Sequence, residues 1–298
     1  MNHTFRLFQR EWSICRQQVE AALEENLTAV LPTNSPFRQP IYDCVLNGGK
    51  RLRPILMLKM AELLGQSNQS VLKAACAIEI LHSVSLVLDD LPAMDNATVR
   101  RGQPTAHLMY GEANVILLAH LLAFQAYDLI VQNSVANGRS PQQIAQISTS
   151  LVQLTGLQGV IGGQVDDLAE ARDNFSKREM EEMYYKKTGA LLVLTAVLTG
   201  QLCQANPKEA KALVTYTRHL GIAYQIRDDI LDETGELQEL GKNPRQDAQK
   251  QTHTKLAGLS ASQTRLKQHL HKAEQSIAHF GPRAWFLTYL CQQYGALN

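Results

Sequence analysis

The chain has 298 residues, which is enough to bury a large apolar core as one domain or as two smaller ones. Its 29 basic and 28 acidic residues leave a formal net charge of +1. That balance excludes an overall positive field that would attract nucleic acid or an anionic membrane surface. Any phosphate must therefore be bound by a local group of residues, and we expect no nucleic-acid partner.

The cysteines and the N-terminal residues indicate the cellular compartment in which the protein is expected. Five cysteines are scattered along the chain without paired or metal-ligand spacing, which favours a reducing compartment. The first residues mix charged and apolar side chains and lack the apolar region of a signal peptide. The most apolar stretch, residues 74–88, contains Glu79 and His82 and is too short to span a bilayer. We expect a cytoplasmic protein with no stable membrane insertion.

Nearly every segment of the chain shows the apolar recurrence of an amphipathic helix, and strand patterns are almost absent. The predicted helices span residues 11–31, 41–64, 71–91, 111–132, 141–171, 177–204, 207–233 and 260–296. Glycine, proline and asparagine separate them, and residues 233–254 form the one long polar loop. No repeat or linker divides the chain, so we predict a single all-α domain over residues 1–298.

In chain order, the first polar motif is the segment 48–54, in which two glycines precede Lys50, Arg51 and Arg53. Glycines allow a backbone to approach a phosphate while basic side chains hold its oxygens. The spacing is not that of a P-loop. A loop with solvated charges is the alternative interpretation of this motif on its own.

The predicted helix 71–91 is apolar on nearly all sides, which is typical of a helix in the middle of a bundle. It ends in Asp89 and Asp90, with Asp95 following after Pro92. Because proline removes a backbone donor, Asp95 can join the other two aspartates only if the helix bulges or ends there. Arg100 and Arg101 follow and could place donors beside this first acidic cluster.

Further candidates lie between the acidic clusters and in the polar loop. Gly162 and Gly163 precede Asp167 by about one turn and either allow close helix packing or admit a ligand. The Lys187-Thr188-Gly189 motif lies in an otherwise apolar helix, although a lysine there could simply extend to solvent. The pair Gly241-Lys242 in the polar loop carries no signal by itself.

The second acidic cluster lies near the end of the predicted helix 207–233. Its polar stripe follows the i, i+3, i+4, i+7 spacing of one helix face and consists of Gln225, Asp228, Asp229 and Asp232. If the two acid-tipped helices face each other, six carboxylates would repel unless a cation neutralises them. Hard divalent ions such as Mg²⁺ prefer oxygen ligands, including phosphate oxygens. Solvated helix ends are the alternative.

Taken together, the acidic clusters, the basic anchors and the apolar helices favour a site for a diphosphate ester with a hydrocarbon tail. No arrangement of serine, histidine and aspartate or of cysteine and histidine indicates covalent catalysis. From Gly48 to Thr254 the chain resembles the trans-isoprenyl diphosphate synthases, the polyprenyl synthetase family. The motifs GGKRLRP, DDLPAMD with RRGQPT, GEAN, GGQVDDL, KKTGAL and YQIRDDILD occur in the family's order. The first cluster is most similar to that of the bacterial farnesyl diphosphate synthases.

This resemblance implies an isoprenoid synthase-like fold, a bundle of about ten or more helices around a deep central cavity. It implies a homodimer and Mg²⁺ as cofactor, with three ions per site and Mn²⁺ able to substitute. Isopentenyl diphosphate would be bound by Lys50, Arg53, His82 and Arg101. The allylic diphosphate would be bound by Arg100, Lys187, Thr188, Gln225 and Lys242, with Lys187, Thr188 and Gln225 as catalytic residues. Direct metal ligands would be Asp89, Asp95 and Asp228, and Asp90, Asp229 and Asp232 would ligate directly or through water.

The implied reaction is Mg²⁺-assisted ionisation of dimethylallyl or geranyl diphosphate, condensation with isopentenyl diphosphate, and elimination of a proton to the leaving diphosphate. The polar loop around Lys242 would exclude water as a lid. We expect a C15 product. Val84 and Ser85 occupy the chain-length position, and the missing aromatic ring at Val84 keeps a C20 product as the alternative unless Met57, Leu121 or Phe124 fills the space. Departures from the family pattern at Leu88, Asn96, His120 and Thr252 suggest a slower or specialised enzyme.

Three other functions remain open. A regulatory subunit that binds an active prenyltransferase would have lost one acidic cluster, whereas this chain keeps both. An all-α metallophosphohydrolase would need neither the apolar interior nor the Lys-Thr-Gly motif. A terpene cyclase would lack the Gly-Gly-Lys-Arg anchor for a second diphosphate.

Overall fold

The computed structural model describes residues 3–29, 31–169, 175–234 and 251–296. The prediction of an all-α fold is confirmed. The helices are α1 (His3–Ala29), α2 (Arg38–Ile41), α3 (Leu52–Leu63), α4 (Leu72–Asp89), α5 (Ala106–Tyr110), α6 (Glu112–Ala136), α7 (Pro141–Thr155), α8 (Val160–Leu168), α9 (Lys177–Tyr184), α10 (Ala190–Leu202), α11 (Pro207–Thr234), α12 (His253–Ala257), α13 (Leu259–Ile277) and α14 (Trp285–Gly295). Two strands, β1 (Val99–Arg100) and β2 (Gln103–Pro104), form a short antiparallel hairpin.

The chain divides into two compact units, residues 1–148 and 149–298. The division falls within α7 rather than in a separate linker. A single domain over the whole chain therefore stays a prediction.

Helix α4 is the central helix of the first unit. It packs against α1, α3 and α6. Every residue from Ala74 to Leu81 is buried, so all sides of its first half contact protein. This confirms the expectation drawn from its uniformly apolar sequence. The aspartates follow at the C-terminal end of this buried helix.

The predicted helix 41–64 was wrong in its middle, where the chain leaves the helix and enters it again. A π-helical turn, Tyr42–Leu46, ends in a loop, and α3 begins only at Leu52. Gly48 and Gly49 have φ angles of 84° and 109°, and Arg51 has a φ angle of 52°. These left-handed conformations cannot continue a right-handed helix, and glycine adopts them without steric cost.

Three other predicted helices are also interrupted. The segment 141–171 is divided into α7 and α8 by a turn at residues 156–159. The segment 177–204 contains a π-helical turn, Tyr185–Gly189, between α9 and α10. The segment 260–296 breaks at Gly281, whose φ angle is 61°, just before Pro282. A π turn keeps nearly the same apolar recurrence as the α-helices on either side, which is why periodicity alone missed it.

Helix α11 is the corresponding central helix of the second unit. It packs against α10, α13 and the π-helical turn Tyr185–Gly189. Tyr216 is fully buried and donates a hydrogen bond to the Leu287 carbonyl oxygen at 2.9 Å. A Cβ atom on Gly221 would lie 2.6 Å from the Cα of Gly189, so a glycine is required where α11 meets the π turn.

Among the described residues, one helix is long and apolar enough, by length and composition, to cross a membrane. It is α6, in which 39% of the most apolar window is buried. Core helices of water-soluble proteins share this composition, so the observation is weak evidence for a membrane span. Cytoplasmic localisation stays a prediction.

Candidate active site

The first acidic cluster forms a tight turn at the end of α4. The helix ends at Asp89, and the chain folds back so that the Asp95 amide donates a hydrogen bond to the Asp89 carbonyl oxygen at 2.9 Å. The Asn96 amide likewise donates to the Leu91 carbonyl oxygen at 3.1 Å. Asp95 therefore returns to the helix end across Pro92. This is the condition that the sequence set for Asp95 to join the cluster.

Arg100 and Asp90, which the sequence assigned to different ligands, are paired with each other. Asp90 is buried, and Arg100 Nε lies 3.1 Å from its Oδ1 atom. A carboxylate at a helix C-terminus meets the negative end of the helix dipole, so the guanidinium offsets an unfavourable position. Arg100 thus holds a predicted metal ligand in place.

The glycine loop and Arg101 are in direct contact, although about fifty residues separate them in the chain. Arg101 Nη1 donates a hydrogen bond to the Gly48 carbonyl oxygen at 3.2 Å. A Cβ atom on Gly49 would lie 3.1 Å from Arg101 Nη2, which is closer than most such contacts allow. Gly49 therefore leaves the space in which the guanidinium lies. The structure brings two of the predicted basic motifs together.

Arg51 differs from the other basic residues of the loop because it is buried. Its Nη1 atom lies 2.9 Å from Glu79 Oε1, and its Nη2 donates to the Leu46 carbonyl oxygen at 3.0 Å. A buried charge of this kind has to be paired, and the pairing fixes the loop. Lys50 beside it is exposed. The sequence motif could not separate the structural arginine from its solvent-facing neighbour.

His82 lies close to the positive charges of Arg53, Arg101 and Arg100. Burial lowers its pKa well below the usual value, and the charges of Arg53, Arg101 and Arg100 lower it further. The imidazole is therefore neutral near pH 7 and can donate one hydrogen bond and accept another. Its interaction with a diphosphate would be a hydrogen bond from a neutral ring.

The chain-length residues lie on α4 beside His82. Val84 and Ser85 are both partly buried, and the Ser85 hydroxyl donates a hydrogen bond to the His82 carbonyl oxygen at 2.9 Å. Phe124 is 73% exposed, so its ring does not replace the aromatic side chain missing at Val84. Met57 is fully buried, as the sequence allowed.

The second acidic cluster contains one buried and two partly exposed carboxylates. Asp229 is buried, whereas Asp228 and Asp232 are partly exposed. The Tyr184 hydroxyl and the His253 backbone amide both donate hydrogen bonds to Asp229 Oδ2, the amide at 2.8 Å. Sequence reasoning missed Tyr184, because a tyrosine in a polar helix carries no motif.

Lys187 forms an ion pair with Asp167, the acidic residue of the predicted Gly162-Gly163 motif. The Nζ–Oδ2 distance is 2.6 Å, and Asp167 is buried. A Cβ atom on Gly163 would lie 2.2 Å from the Lys187 backbone nitrogen. The glycine thus allows α8 to pack directly on the π turn, which favours the packing interpretation of this motif.

Thr188 and Gln225 are also brought together. The Thr188 hydroxyl donates to Gln225 Oε1 at 3.1 Å, and Gln225 Nε2 donates to Asp229 Oδ1 at 3.4 Å. This contact follows from the close approach of α11 to the π turn at Gly221. Thr252 caps α12 by accepting a hydrogen bond from the Lys255 amide, and Lys242 lies outside the described residues.

The donor atoms of both clusters are suited to a hard divalent cation, because they are carboxylate oxygens without sulfur or imidazole ligands. Within the described part of the chain, no three acidic, histidine or cysteine side chains form a complete metal cage. The oxygens of a bound diphosphate would be suitable further ligands for such a cation. The individual metal ligands stay predictions.

Comparisons with known proteins relate the chain to one family. The polyprenyl synthetase family model matches residues 34–281. Geranylgeranyl pyrophosphate synthase 3 of Arabidopsis thaliana is 36% identical, covering 87% of this chain and 74% of the plant protein. Farnesyl diphosphate synthase of Bacillus subtilis is 33% identical and covers 84% of each chain. The crystal structure of a geranyltransferase from Legionella pneumophila superposes with a TM-score of 0.86 at 28% identity, covering 99% of this chain and 98% of the other.

The chain therefore belongs to the polyprenyl synthetase family. It is a short-chain prenyltransferase of all-α fold, which confirms the class that the sequence motifs predicted. Prenyl diphosphates are its substrates, and the family implies a divalent metal for the reaction.

Proposed function

We propose that the protein is a farnesyl diphosphate synthase that uses Mg²⁺. In this proposal it condenses isopentenyl diphosphate with geranyl or dimethylallyl diphosphate. The main observation that supports the proposal is the hydrogen bond from Arg101 to the Gly48 carbonyl oxygen. It joins the glycine loop to the arginine pair that follows the first acidic turn, as a site for a diphosphate requires.

Isopentenyl diphosphate would bind at this basic group in the first unit. Arg53 and Arg101 both act on the neighbouring His82, and Lys50 is exposed in the same loop. Guanidinium groups hold phosphate oxygens through paired hydrogen bonds, and a neutral His82 adds one donor. Arg51 is not among these residues, because it is buried and paired with Glu79.

The allylic diphosphate would be bound by Arg100, Lys187 and Lys242. Arg100 is paired with Asp90, and Lys187 is paired with Asp167. Both cations are thereby held in place before the anion arrives, which reduces the reorganisation needed when the leaving group departs. Mg²⁺, when bound through Asp89, Asp95 and Asp228, supplies Lewis-acid neutralisation of the leaving diphosphate.

The residues around Thr188 are suited to an allylic cation. Because its hydroxyl hydrogen is donated to Gln225, the lone pairs of the Thr188 oxygen remain available for developing positive charge. The π electrons of isopentenyl diphosphate form the new C–C bond, and a proton then leaves the condensed cation. The departing diphosphate can accept that proton, so no side-chain base is required.

The product length rests on the similarity to farnesyl diphosphate synthases. The relatives named for farnesyl and geranylgeranyl products are 33% and 36% identical, so identity does not separate the two. Val84 lies about 7.5 Å along the helix from Asp89, from a rise of ~1.5 Å per residue, and valine is smaller than the aromatic residue that the family usually has there. This keeps the C20 product as the second candidate.

The test is to incubate the purified protein with Mg²⁺, isopentenyl diphosphate and geranyl diphosphate and to size the products. A predominant C15 alcohol after dephosphorylation is expected. Predominant C20 would overturn the farnesyl assignment. Diphosphate release without chain growth would support a phosphohydrolase, and absence of turnover by the isolated protein would support a regulatory subunit.

The homodimer that the resemblance implied is part of the proposal. Helix α6 carries a row of exposed apolar side chains at seven-residue spacing, namely Leu117, Phe124 and Val131, with Val135 one turn further. Leu117 and Phe124 are 58% and 73% exposed. Apolar rows of this kind on a long helix are typical of a face that packs against another chain.

A further inference from the structure

The hydrogen bonds of Asp229 separate it from the other carboxylates of the second cluster. Its Oδ2 atom accepts from both the Tyr184 hydroxyl and the His253 amide, and its Oδ1 atom accepts from Gln225 at 3.4 Å. Tyr184, Asp229 and His253 are all buried. A carboxylate that accepts several donors in a buried position has a fixed orientation, and removing one donor is costly.

The elements that carry these donors are themselves fixed. Helix α9 begins with a capping box between Ser176 and Glu179, and Glu181 forms a paired ion contact with Arg265 of α13 at 2.6 and 2.7 Å. The hydroxyl of Tyr184, at the end of α9, therefore has little freedom to move. Tyr184 Oη also lies 3.1 Å from the His253 nitrogen.

On the other side, His253 begins the short helix α12 just after the chain is again described at Gln251. The Ser262 hydroxyl donates to the Gly258 carbonyl oxygen at 2.9 Å, so the His253 Nδ1–H donates to Ser262 Oγ at 2.8 Å. The imidazole is thus held by α13 while the backbone amide is held by Asp229. The first amide of a helix has no partner within the helix, and Asp229 supplies one.

We infer that Tyr184 is a positioning residue for the second acidic cluster. Its hydroxyl, together with the His253 amide, makes Asp229 an anchor between α9, α11 and α12. Asp228 and Asp232, which are partly exposed, would contact the cation. The inference rests on the proposed function. It gives Asp229 a structural role and gives Asp228 and Asp232 the contact with the cation. Through Gln225, the same anchor also orients the hydroxyl of Thr188.

The test compares Tyr184→Phe with Tyr185→Phe, which removes the hydroxyl of the adjacent tyrosine, whose ring lies 4.1 Å from Arg218. Residues that orient the ligands of a metal typically contribute 10–100-fold to metal affinity or activity. We therefore expect Tyr184→Phe to raise the Mg²⁺ concentration for half-maximal activity about tenfold. The KM for isopentenyl diphosphate should stay unchanged, because its predicted binding residues lie in the first unit. Tyr185→Phe should match the wild type in both quantities.

Amide hydrogen exchange of the substrate-free protein gives a reading that does not depend on activity. Exchange at His253 should be faster in Tyr184→Phe and unchanged in Tyr185→Phe. Asp229→Asn, which keeps an acceptor oxygen for both donors, should leave His253 exchange slow while altering the Mg²⁺ requirement. If Tyr184→Phe does not fold, fast His253 exchange in Asp229→Asn would contradict the anchor, because both donors would have kept an acceptor.

Two results would overturn the inference. One is equal Mg²⁺ requirement and equal His253 exchange in both tyrosine variants. The other is a uniform loss of activity in Tyr184→Phe with an unchanged Mg²⁺ requirement, which would indicate a purely structural role. If the wild type itself lacks prenyl transfer, the proposed function fails, and the exchange measurement alone decides whether Tyr184 anchors Asp229.

Discussion

Gly163 lies where α8 meets the backbone of Lys187. A Cβ atom there would lie 2.2 Å from the Lys187 nitrogen and 2.5 Å from its Cα. Backbone atoms at such distances have to move apart, which would displace the Lys187 side chain from the allylic diphosphate. We expect Gly163→Ala to lower kcat/KM at least tenfold, in line with the cost of misplacing a catalytic group by about 1 Å. Steady-state kinetics with geranyl diphosphate measures this.

The matched control is Gly200→Ala in α10. A Cβ atom at Gly200 would meet only ordinary contacts, the nearest at 3.6 Å, and the backbone is helical. Alanine is the better helix former by up to about 1 kcal/mol, so Gly200→Ala should keep full activity and a Tm at least equal to that of the wild type. Equal activity of both variants would contradict the account of Gly163.

At this scale, the sequence predicted residues that belong to a motif and missed those that act through a single contact. Asp89, Asp90 and Arg100 stood out because charged residues at a buried helix end require an explanation. Tyr184 did not, because its partner Asp229 lies 45 residues away and no periodicity links the two. Arg51 was grouped with the phosphate anchors because the sequence does not show that it is buried against Glu79. That burial depends on tertiary packing.

At the scale of elements, the contact between α11 and α13 includes two histidines. His219 Nδ1 lies 3.0 Å from His269 Nδ1, and His269 Nε2 lies 3.6 Å from Glu181 Oε2. Burial, and then the neighbouring His269, lowers the pKa of His219 to about 4. Burial acts to raise the pKa of Glu181, but the nearby His269 and the hydrogen bonds from Arg265 outweigh it and lower the pKa to about 2.

These shifts predict how stability depends on pH. An unfolded histidine has a pKa of about 6.5, so between that value and about 4 the unfolded chain binds a proton that folded His219 does not. Stability is therefore lost as the pH falls through this range, whereas the contribution of Glu181 is lost only below about pH 4.5. We expect Tm to decrease from pH 7 to pH 5, as measured by circular dichroism.

His219→Asn should reduce this decrease without abolishing it, because burial also lowers the pKa values of His82 and His253. His271→Asn, an exposed position on the same helix α13, serves as the control and should follow the wild type. A pH profile of His219→Asn equal to that of the control would contradict the role given to the histidine pair.

The positions of most helices could be predicted, because apolar periodicity reports which face is buried. The π turns at Tyr42–Leu46 and Tyr185–Gly189 could not, because they depend on close approach of neighbouring elements. The left-handed conformation of Arg51 could not be predicted either, since it is held by contacts with Glu79 and Leu46. Each of these local departures lies next to a predicted site residue, where a regular helix would have been the expectation.

At the scale of the whole molecule, the exposed face of α6 predicts the oligomeric state. We expect a dimer in solution, and Phe124→Glu should convert it to a monomer because it places a charge in the middle of an apolar contact. Light scattering coupled to size exclusion measures the mass. Ile14→Glu, at a 39% exposed apolar position on α1, is the matched control and should remain dimeric. A monomeric wild type would contradict the proposal.

The central claim is that both acidic clusters are needed for the same reaction. The most direct measurement is the rate of chain growth with Asp89→Asn, Asp228→Asn and the double variant, at saturating Mg²⁺ and substrates. Each single variant should lose about 10²–10³-fold, as when one preorganised electrostatic group is removed. The double variant should lose far less than the product of the two, because groups that act as a unit are not additive. Full activity in either single variant, or losses that simply multiply, would contradict the claim that both clusters serve the same step.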